Sequence, residues 1–260
     1  MATADDHVLA RDLALEAGQL LLGLRARGGE PDELRKAGDR LSHEFLTARL
    51  ATARPADAVL SEEGVDDKAR LAADRVWIVD PLDGTREFGE AGRTDWAVHV
   101  ALWERAAGEL TGELTAGAVA LPAQDKVLNT FDPPSRTVPA LSPPPAPLRM
   151  VVSRTRASQL VKDVAALLGA ELVPCGSAGA KAATVILGET DVYLHSGGFY
   201  EWDTAAPVVV ARAAGLHASR IDGAPLAYNQ DDPLLPDILV CRPAIAGQLL
   251  DAIQEVTHAN

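Results

Sequence analysis

An α/β chain in two unlike halves is what the sequence predicts, and three features predict it. The first half opens with apolar residues at helical spacing and then runs through strand-like segments joined by short turns. The second half alternates strand and helix patterns from residue 148 onward. Between them, residues 132–147 (DPPSRTVPALSPPPAP) hold seven prolines. Proline fixes φ and removes a backbone donor, so this stretch is neither helix nor central strand and reads as a stiff linker. The expected division is an α+β half over 1–131, a linker over 132–147 and an α/β half over 148–260.

The elements follow in order. Leu9, Leu13, Ala17, Leu20, Leu21 and Leu24 predict an amphipathic helix over 6–26, and Leu41, Phe45 and Leu50 a second one starting after Asp39. DAVLSEEG (57–64) reads as a short strand entering an acidic turn, and RVWIVDP (75–81) as a stronger strand stopped by Pro81. WAVHVALWER (96–105) is apolar at nearly every position, the mark of a strand covered on both faces. After a turn at AAGEL (106–110), ELTAGAVALPA and DKVLNTF extend an antiparallel sheet. In the second half, strands are expected at 148–153, 170–176, 191–195 and 237–241. Helices are expected at 157–169, 177–189, 203–215 and 244–256.

Composition narrows the function classes. Of 260 residues, 47% are hydrophobic and 23% charged, an ordinary globular balance. A net charge of −13 lacks the basic stripe of a nucleic-acid binder. It allows a small phosphorylated ligand only if something, such as a metal ion, reverses the field locally. Cys175 and Cys241 form no framework and no CxxC, so reduced thiols are expected. The N-terminus lacks a signal-peptide pattern and no stretch reaches the length of a membrane span, which predicts a cytoplasmic protein.

The chemistry concentrates in VWIVDPLDGTREF, residues 76–88. Asp80 and Asp83 end one strand; Glu62 and Glu63 end another. If those strands are neighbours the acids converge, repel and push at least one pKa upward. A hard divalent cation resolves the conflict, and oxygen ligands suit Mg²⁺, whereas no Cys/His cluster suits zinc. Gly84 permits close backbone approach, a helix starting there would turn free N–H groups on a phosphate, and Thr85 offers a hydroxyl to orient water. The same residues also fit a plain helix cap at Asp83-Gly84-Thr85, a turn at Asp80-Pro81 and a solvated acidic turn at Glu62-Glu63.

Taken with SEE (61–63) upstream and EWDTAAP (201–207) downstream, DPLDGT resembles the inositol monophosphatase superfamily of lithium-sensitive, magnesium-dependent phosphomonoesterases. The resemblance covers nearly the whole chain in motif order. It implies a layered αβαβα sandwich, with Glu62, Asp80, Asp83, the Leu82 carbonyl and Asp203 as ligands of two or three Mg²⁺ ions. It also implies that Gly84 and Thr85 hold the phosphate by their N–H groups, with Glu62, Thr85 and Asp39 catalytic. The family's Thr-x-Ala-Asp run is KAGD here. The missing threonine leaves Asp39 either as Thr85's partner in activating water or as a helix N-cap.

Within the superfamily, DPLDGTREF and GSAGAK (176–181) resemble the 3′(2′),5′-bisphosphate nucleotidases, although GSAGAK is one residue longer than their segment and Pro207 replaces a usual glycine. That implies Ser177 and Lys181 facing the second phosphate or ribose of 3′-phosphoadenosine 5′-phosphate. The alternative for Lys181 is an exposed helix lysine. The expected partner is a small phosphorylated nucleotide, not nucleic acid or membrane, with the protein a monomer or homodimer. Inositol-1-phosphate or fructose-1,6-bisphosphate hydrolysis and a non-catalytic sensor are the competing readings. His99 is expected to be a core histidine, and His195 and Tyr200 to lie near Asp203 as candidate pocket residues. Arg86 and Glu87 read equally as site residues or as a helix pair.

Overall fold

The structure is a computed structural model that describes residues 2–106, 111–133 and 146–259. Most of the expected linker, 134–145, and most of the turn at 106–110 lie outside the described residues. In chain order the elements are α1 (Ala4–Ala26), α2 (Pro31–Ala53), β1 (Ala58–Ser61), β2 (Arg75–Asp83), α3 (Thr85–Gly89), β3 (Ala97–Arg105), β4 (Gly112–Leu121) and β5 (Lys126–Asn129). Then come β6 (Arg149–Ser153), α4 (Gln159–Leu168), β7 (Glu171–Cys175), α5 (Ala178–Ile186), β8 (Val192–Tyr200), α6 (Glu201–Ala213), β9 (His217–Ser219), β10 (Leu234–Cys241) and α7 (Pro243–Ala259).

Two five-stranded sheets result. The first has the order β1-β2-β3-β4-β5, antiparallel except that β1 runs parallel to β2; the second has the order β7-β6-β8-β10-β9. In the second, β6 is parallel to both β7 and β8, while β10 is antiparallel to β8 and β9. Three apolar clusters fix the layers. Leu13, Ala17 and Leu21 of α1 and Leu46 and Leu50 of α2 pack on Trp77, Val79, Val98 and Val100 of the first sheet. The opposite face of that sheet (Val76, Ile78, Ala101) meets Ala182, Val185, Val208 and Val210 of α5 and α6, which also cover Val151, Tyr193 and Val240 of the second sheet. The outer face of the second sheet is closed by Val161 and Val164 of α4 and Leu249 and Ile253 of α7. This is the expected αβαβα order. Because period-2 alternation gives each strand two faces, sheet residues that are apolar on both sides need helices on both sides.

Three expectations about boundaries are corrected. Helix α2 begins at Pro31, with proline in its first turn, where its missing N–H costs nothing. Asp39 therefore sits inside the helix and is not its N-cap. Strand β2 is not stopped by Pro81 but runs on to Asp83, with a shift in pairing between Asp80 and Asp83. A bulge tolerates a residue without an N–H and redirects the side chains beside it. Strand β8 continues past His195 to Tyr200, so α6 begins at Glu201. Among the described residues no helix is long and apolar enough to cross a membrane.

Candidate active site

The parallel pairing of β1 and β2 sets Ser61 beside Val79, so Glu62 and Asp80 leave neighbouring strand ends together. The bulge after Asp80 brings Asp83 onto the same spot, and Asp203, in the first turn of α6, arrives from the middle helical layer. Ligand oxygens of Asp80, Asp83 and Asp203 lie within 4.8 Å of one another. Asp80 and Asp83 are buried and Asp203 half-buried.

Local hydrogen bonds hold each acid differently. Asp80 Oδ1 accepts from Leu82 N at 3.0 Å, the Asx-type turn that opens the DPLDGT loop. Asp203 Oδ2 accepts from Tyr200 N at 2.7 Å, tying it to the end of β8. Asp83 does not cap α3; it accepts from Ala178 N at 3.0 Å and Gly179 N at 2.6 Å, capping α5 of the other layer. A Cβ on Gly179 would stand 2.1 Å from His99 Nε2, so only glycine allows this approach.

The electrostatics are strained by design of the loop. Burial, then the charges of Glu62, Asp83 and Asp203, push Asp80 well above the usual carboxylate range. Asp203 is pushed up to about 6, by burial first and then by Asp83. Glu62 is open to solvent by surface area, yet its carboxylate faces the crowded concave side. Loss of water there, followed by Asp203 and Glu63, pushes it up to about 7 against a hydrogen bond with Asp80. Two carboxyl groups can share a hydrogen bond only if one carries a proton. Asp83 is the exception: burial would raise it, but His99, Lys181 and Gly179 N–H outweigh burial and hold it at about 2.

The set of acids fits a hard cation. All donors are oxygens, and the structure gives Asp80 no basic partner among the described residues. The only alternatives to repulsion are added protons or a metal. Gly84 has φ +83, and a Cβ there would stand 2.8 Å from Ser177 Cβ, so DPLDGT needs its glycine for both reasons. Thr85 Oγ1 lies 3.1 Å from the Leu82 carbonyl and 3.4 Å from Asp39 Oδ1. Asp39 thus meets Thr85 from mid-helix and is pushed up to about 6, by burial first and then by Glu63.

These groups open on a cavity of about 560 Å³ whose walls include Glu62, Asp83, Thr85, Ser177, Lys181 and Asp203. Lys181 is buried, not an exposed helix lysine: its Nζ donates to the carbonyls of Gly176 at 2.7 Å and Ser177 at 2.6 Å. Ser177 caps α5, accepting from Ala180 N at 2.9 Å. His195 and Tyr200 both line the cavity, His195 stacked on Phe199 at 3.8 Å between ring centroids. His99 is indeed in the core, but its Nε2 is 3.2 Å from Asp83 Oδ2, which ties it to the site. Sequence reasoning missed Arg154 and Arg156 in the cavity wall. The strand-end position of SRTR (153–156) was the available signal, since the ends of parallel strands gather ligand loops.

The whole chain is similar to known proteins. A family model described as "Inositol monophosphatase family" matches residues 8–258. A protein of Mycobacterium leprae named 3′-phosphoadenosine 5′-phosphate phosphatase is 52% identical, the match covering 98% of this chain and 96% of that protein. The Escherichia coli K12 protein named 3′(2′),5′-bisphosphate nucleotidase CysQ is 30% identical over 76% of this chain and 81% of its own. Among solved structures, CysQ from Bacteroides thetaiotaomicron aligns with TM-score 0.78 at 28% identity, covering 92% of this chain and 97% of that one. Inositol monophosphatase II of Staphylococcus aureus aligns with TM-score 0.83 at 19% identity and 98% coverage of both, a likeness of fold.

Proposed function

This chain belongs to the inositol monophosphatase family, and on that premise we propose that it is a magnesium-dependent phosphomonoesterase acting on 3′-phosphoadenosine 5′-phosphate. It hydrolyses the 3′-phosphate to give AMP and inorganic phosphate; the 5′-phosphosulfate analogue is a second candidate substrate. The observation that carries the reading is the convergence of Asp80, Asp83 and Asp203, the last two lining the cavity, in a chain half-identical to proteins bearing that activity in their names. On this reading residues 1–131 supply Asp39, Glu62, Asp80, Asp83 and Thr85, residues 148–260 supply Ser177, Lys181 and Asp203, and 132–147 link them. A cytoplasmic setting goes with it, supported by two free thiols.

Glu62, Asp80, the Leu82 carbonyl, Asp83 and Asp203 would hold Mg²⁺, which when bound neutralises the acids, acidifies water and stabilises the leaving oxygen. The rest is done by the chain. N–H groups of Gly84 and Thr85 hold the phosphate at the start of α3. Thr85 orients the attacking water, accepts a proton from it and passes its own hydroxyl proton to Asp39. The new P–O bond forms as the bond to the 3′ oxygen breaks, and that oxygen leaves with a proton from solvent. Water attacks directly: neither cysteine lines the cavity, and burial, above all, pushes the Cys175 thiol up to about 11, leaving it protonated. Lys181 holds the 176–177 loop that presents Ser177 to the substrate.

Phosphate release from 3′-phosphoadenosine 5′-phosphate, inositol 1-phosphate and fructose 1,6-bisphosphate, measured side by side in Mg²⁺ and then with Li⁺, tests the proposal. A strong preference for the nucleotide that Li⁺ inhibits is expected. Preference for either sugar phosphate overturns the substrate, and binding without release in Mg²⁺ overturns the catalysis.

A further inference from the structure

Of the three converging acids, Asp203 alone comes from the second half of the chain. It arrives on α6, which is held between the sheets by apolar residues. Apolar packing is non-directional, so it sets the separation of layers better than the position of one residue along them. Mg²⁺ demands near-ideal octahedral geometry, with oxygens at about 2.0–2.1 Å. Something directional has to hold Asp203 in place.

The residues on either side of Asp203 are held by one segment, 228–230. Glu201, two positions before it, is buried, and its carboxylate accepts from Asn229 N and Gln230 N, both at 2.7 Å. With Asn229 in the left-handed region at φ +58, two successive N–H groups converge on that one carboxylate. Thr204, the residue after Asp203, meets the Tyr228 hydroxyl at 3.2 Å.

Arg70 ties the same segment to the first half of the chain. It is fully buried in the short 3₁₀ turn Lys68–Ala72. Its guanidinium donates to Asn229 Oδ1 at 2.7 Å and to the Gln230 carbonyl at 2.8 Å, and forks onto Asp66 at 2.7 and 3.1 Å. Asp66 stands four residues after Glu62. A continuous run of bonds therefore joins the Glu62 turn to the first turn of α6. Burying charges is a poor source of stability, because desolvation offsets their attraction. An arginine fork and a doubly bonded carboxylate supply direction instead. Neither Arg70 nor Glu201 lines the cavity.

We propose that Arg70 and Glu201 are positioning residues of the metal site: acting through Asn229 and Gln230, they fix where Asp203 stands relative to the Glu62 turn. The proposal rests on the reading that these acids bind Mg²⁺, and extends it to residues that touch neither metal nor substrate.

The test is Mg²⁺ binding without substrate, measured by calorimetry, together with Tm in chelator and in Mg²⁺, for the full chain and three variants. Glu201→Gln replaces one acceptor by an amide that cannot take the N–H facing it. Arg70→Lys keeps the charge but loses the fork. Asn229→Gly removes the side chain that Arg70 grips and keeps the left-handed backbone, so it carries the test if Arg70→Lys does not fold. In each folded variant Mg²⁺ affinity should fall about 10- to 100-fold, the range for groups that orient metal ligands. The rise in Tm given by a fixed Mg²⁺ concentration should shrink accordingly. A role in folding alone would lower Tm equally with and without Mg²⁺ and leave the affinity unchanged. A parent that binds Mg²⁺ with variants within threefold of it overturns the positioning role alone. A parent that neither binds Mg²⁺ nor gains Tm from it overturns the metal reading, and the positioning role with it.

Discussion

His99 Nε2 lies 3.2 Å from Asp83 Oδ2, while its Nδ1 lies 3.1 Å from the Trp202 carbonyl oxygen. A carbonyl only accepts, so Nδ1 carries a proton, while Nε2 approaches Asp83 closely without an aligned hydrogen bond. The imidazole is fully buried, and although burial opposes the charged form, Asp83 raises its pKa. One side chain of the first sheet thus bridges a site acid on β2 to the residue before Asp203 on α6.

That bridge predicts a metal phenotype for a residue that is not itself a ligand. His99→Ala should raise the Mg²⁺ concentration for half-maximal activity by about 10- to 100-fold, as loss of a ligand-orienting group does. The measurement is a Mg²⁺ titration of activity on the folded fraction. A half-saturation within threefold of the parent would show that Asp83 needs no support from His99.

Asp80 gives a prediction of opposite signs for stability and activity. It is buried among acids, and its neighbours Glu62 and Asp203 are raised to about 7 and about 6. A carboxyl whose pKa is higher in the folded state binds protons more tightly there, so stability of the metal-free protein falls as pH rises through about 6 to 7. At pH 8 with a chelator the repulsion is fully expressed. Asp80→Asn removes one buried charge yet keeps an oxygen for Leu82 N. It should raise the metal-free Tm at pH 8 by roughly 2–6 °C while abolishing turnover and the stabilisation by Mg²⁺. A lower metal-free Tm in the variant would refute the repulsion.

Asp39 sets the expected pH profile. As the proposed acceptor of Thr85's proton it must be ionised, and burial, followed by Glu63, raises its pKa to about 6. Activity at saturating Mg²⁺ should therefore fall as pH drops through about 6, with unit slope. Asp39→Asn should lower kcat by about 10²- to 10⁴-fold, the range for loss of a general base, and flatten that acid limb. An unchanged limb in the variant would assign it to another group.

Much of the fold was legible because its signals are local. The helical spacing of Leu13, Ala17 and Leu21 is the face that α1 buries, and the unbroken apolar run of β3 anticipated helices on both sides of the first sheet. What misled was also local. Leu41 and Phe45 marked a helix face but not its start, since the first turns of α2 are dominated by exposed charged residues, Asp32, Glu33 and Lys36. Pro81 read as a stop because spacing alone does not distinguish a strand end from a bulge.

The sequence by itself determined most of the helices and strands and an acidic set at strand ends, because periodicity and turn chemistry act between near neighbours. Only the tertiary structure decided that Asp83 caps α5, that His99 belongs to the site and that Lys181 is spent on backbone carbonyls while Arg86 meets the loop carrying Arg156. The contacts of Asp83 with α5, of His99 with Trp202 and of Arg86 with Thr155 join residues some 70 to 100 positions apart. They depend on how helical layers and sheets stack, which no local pattern encodes.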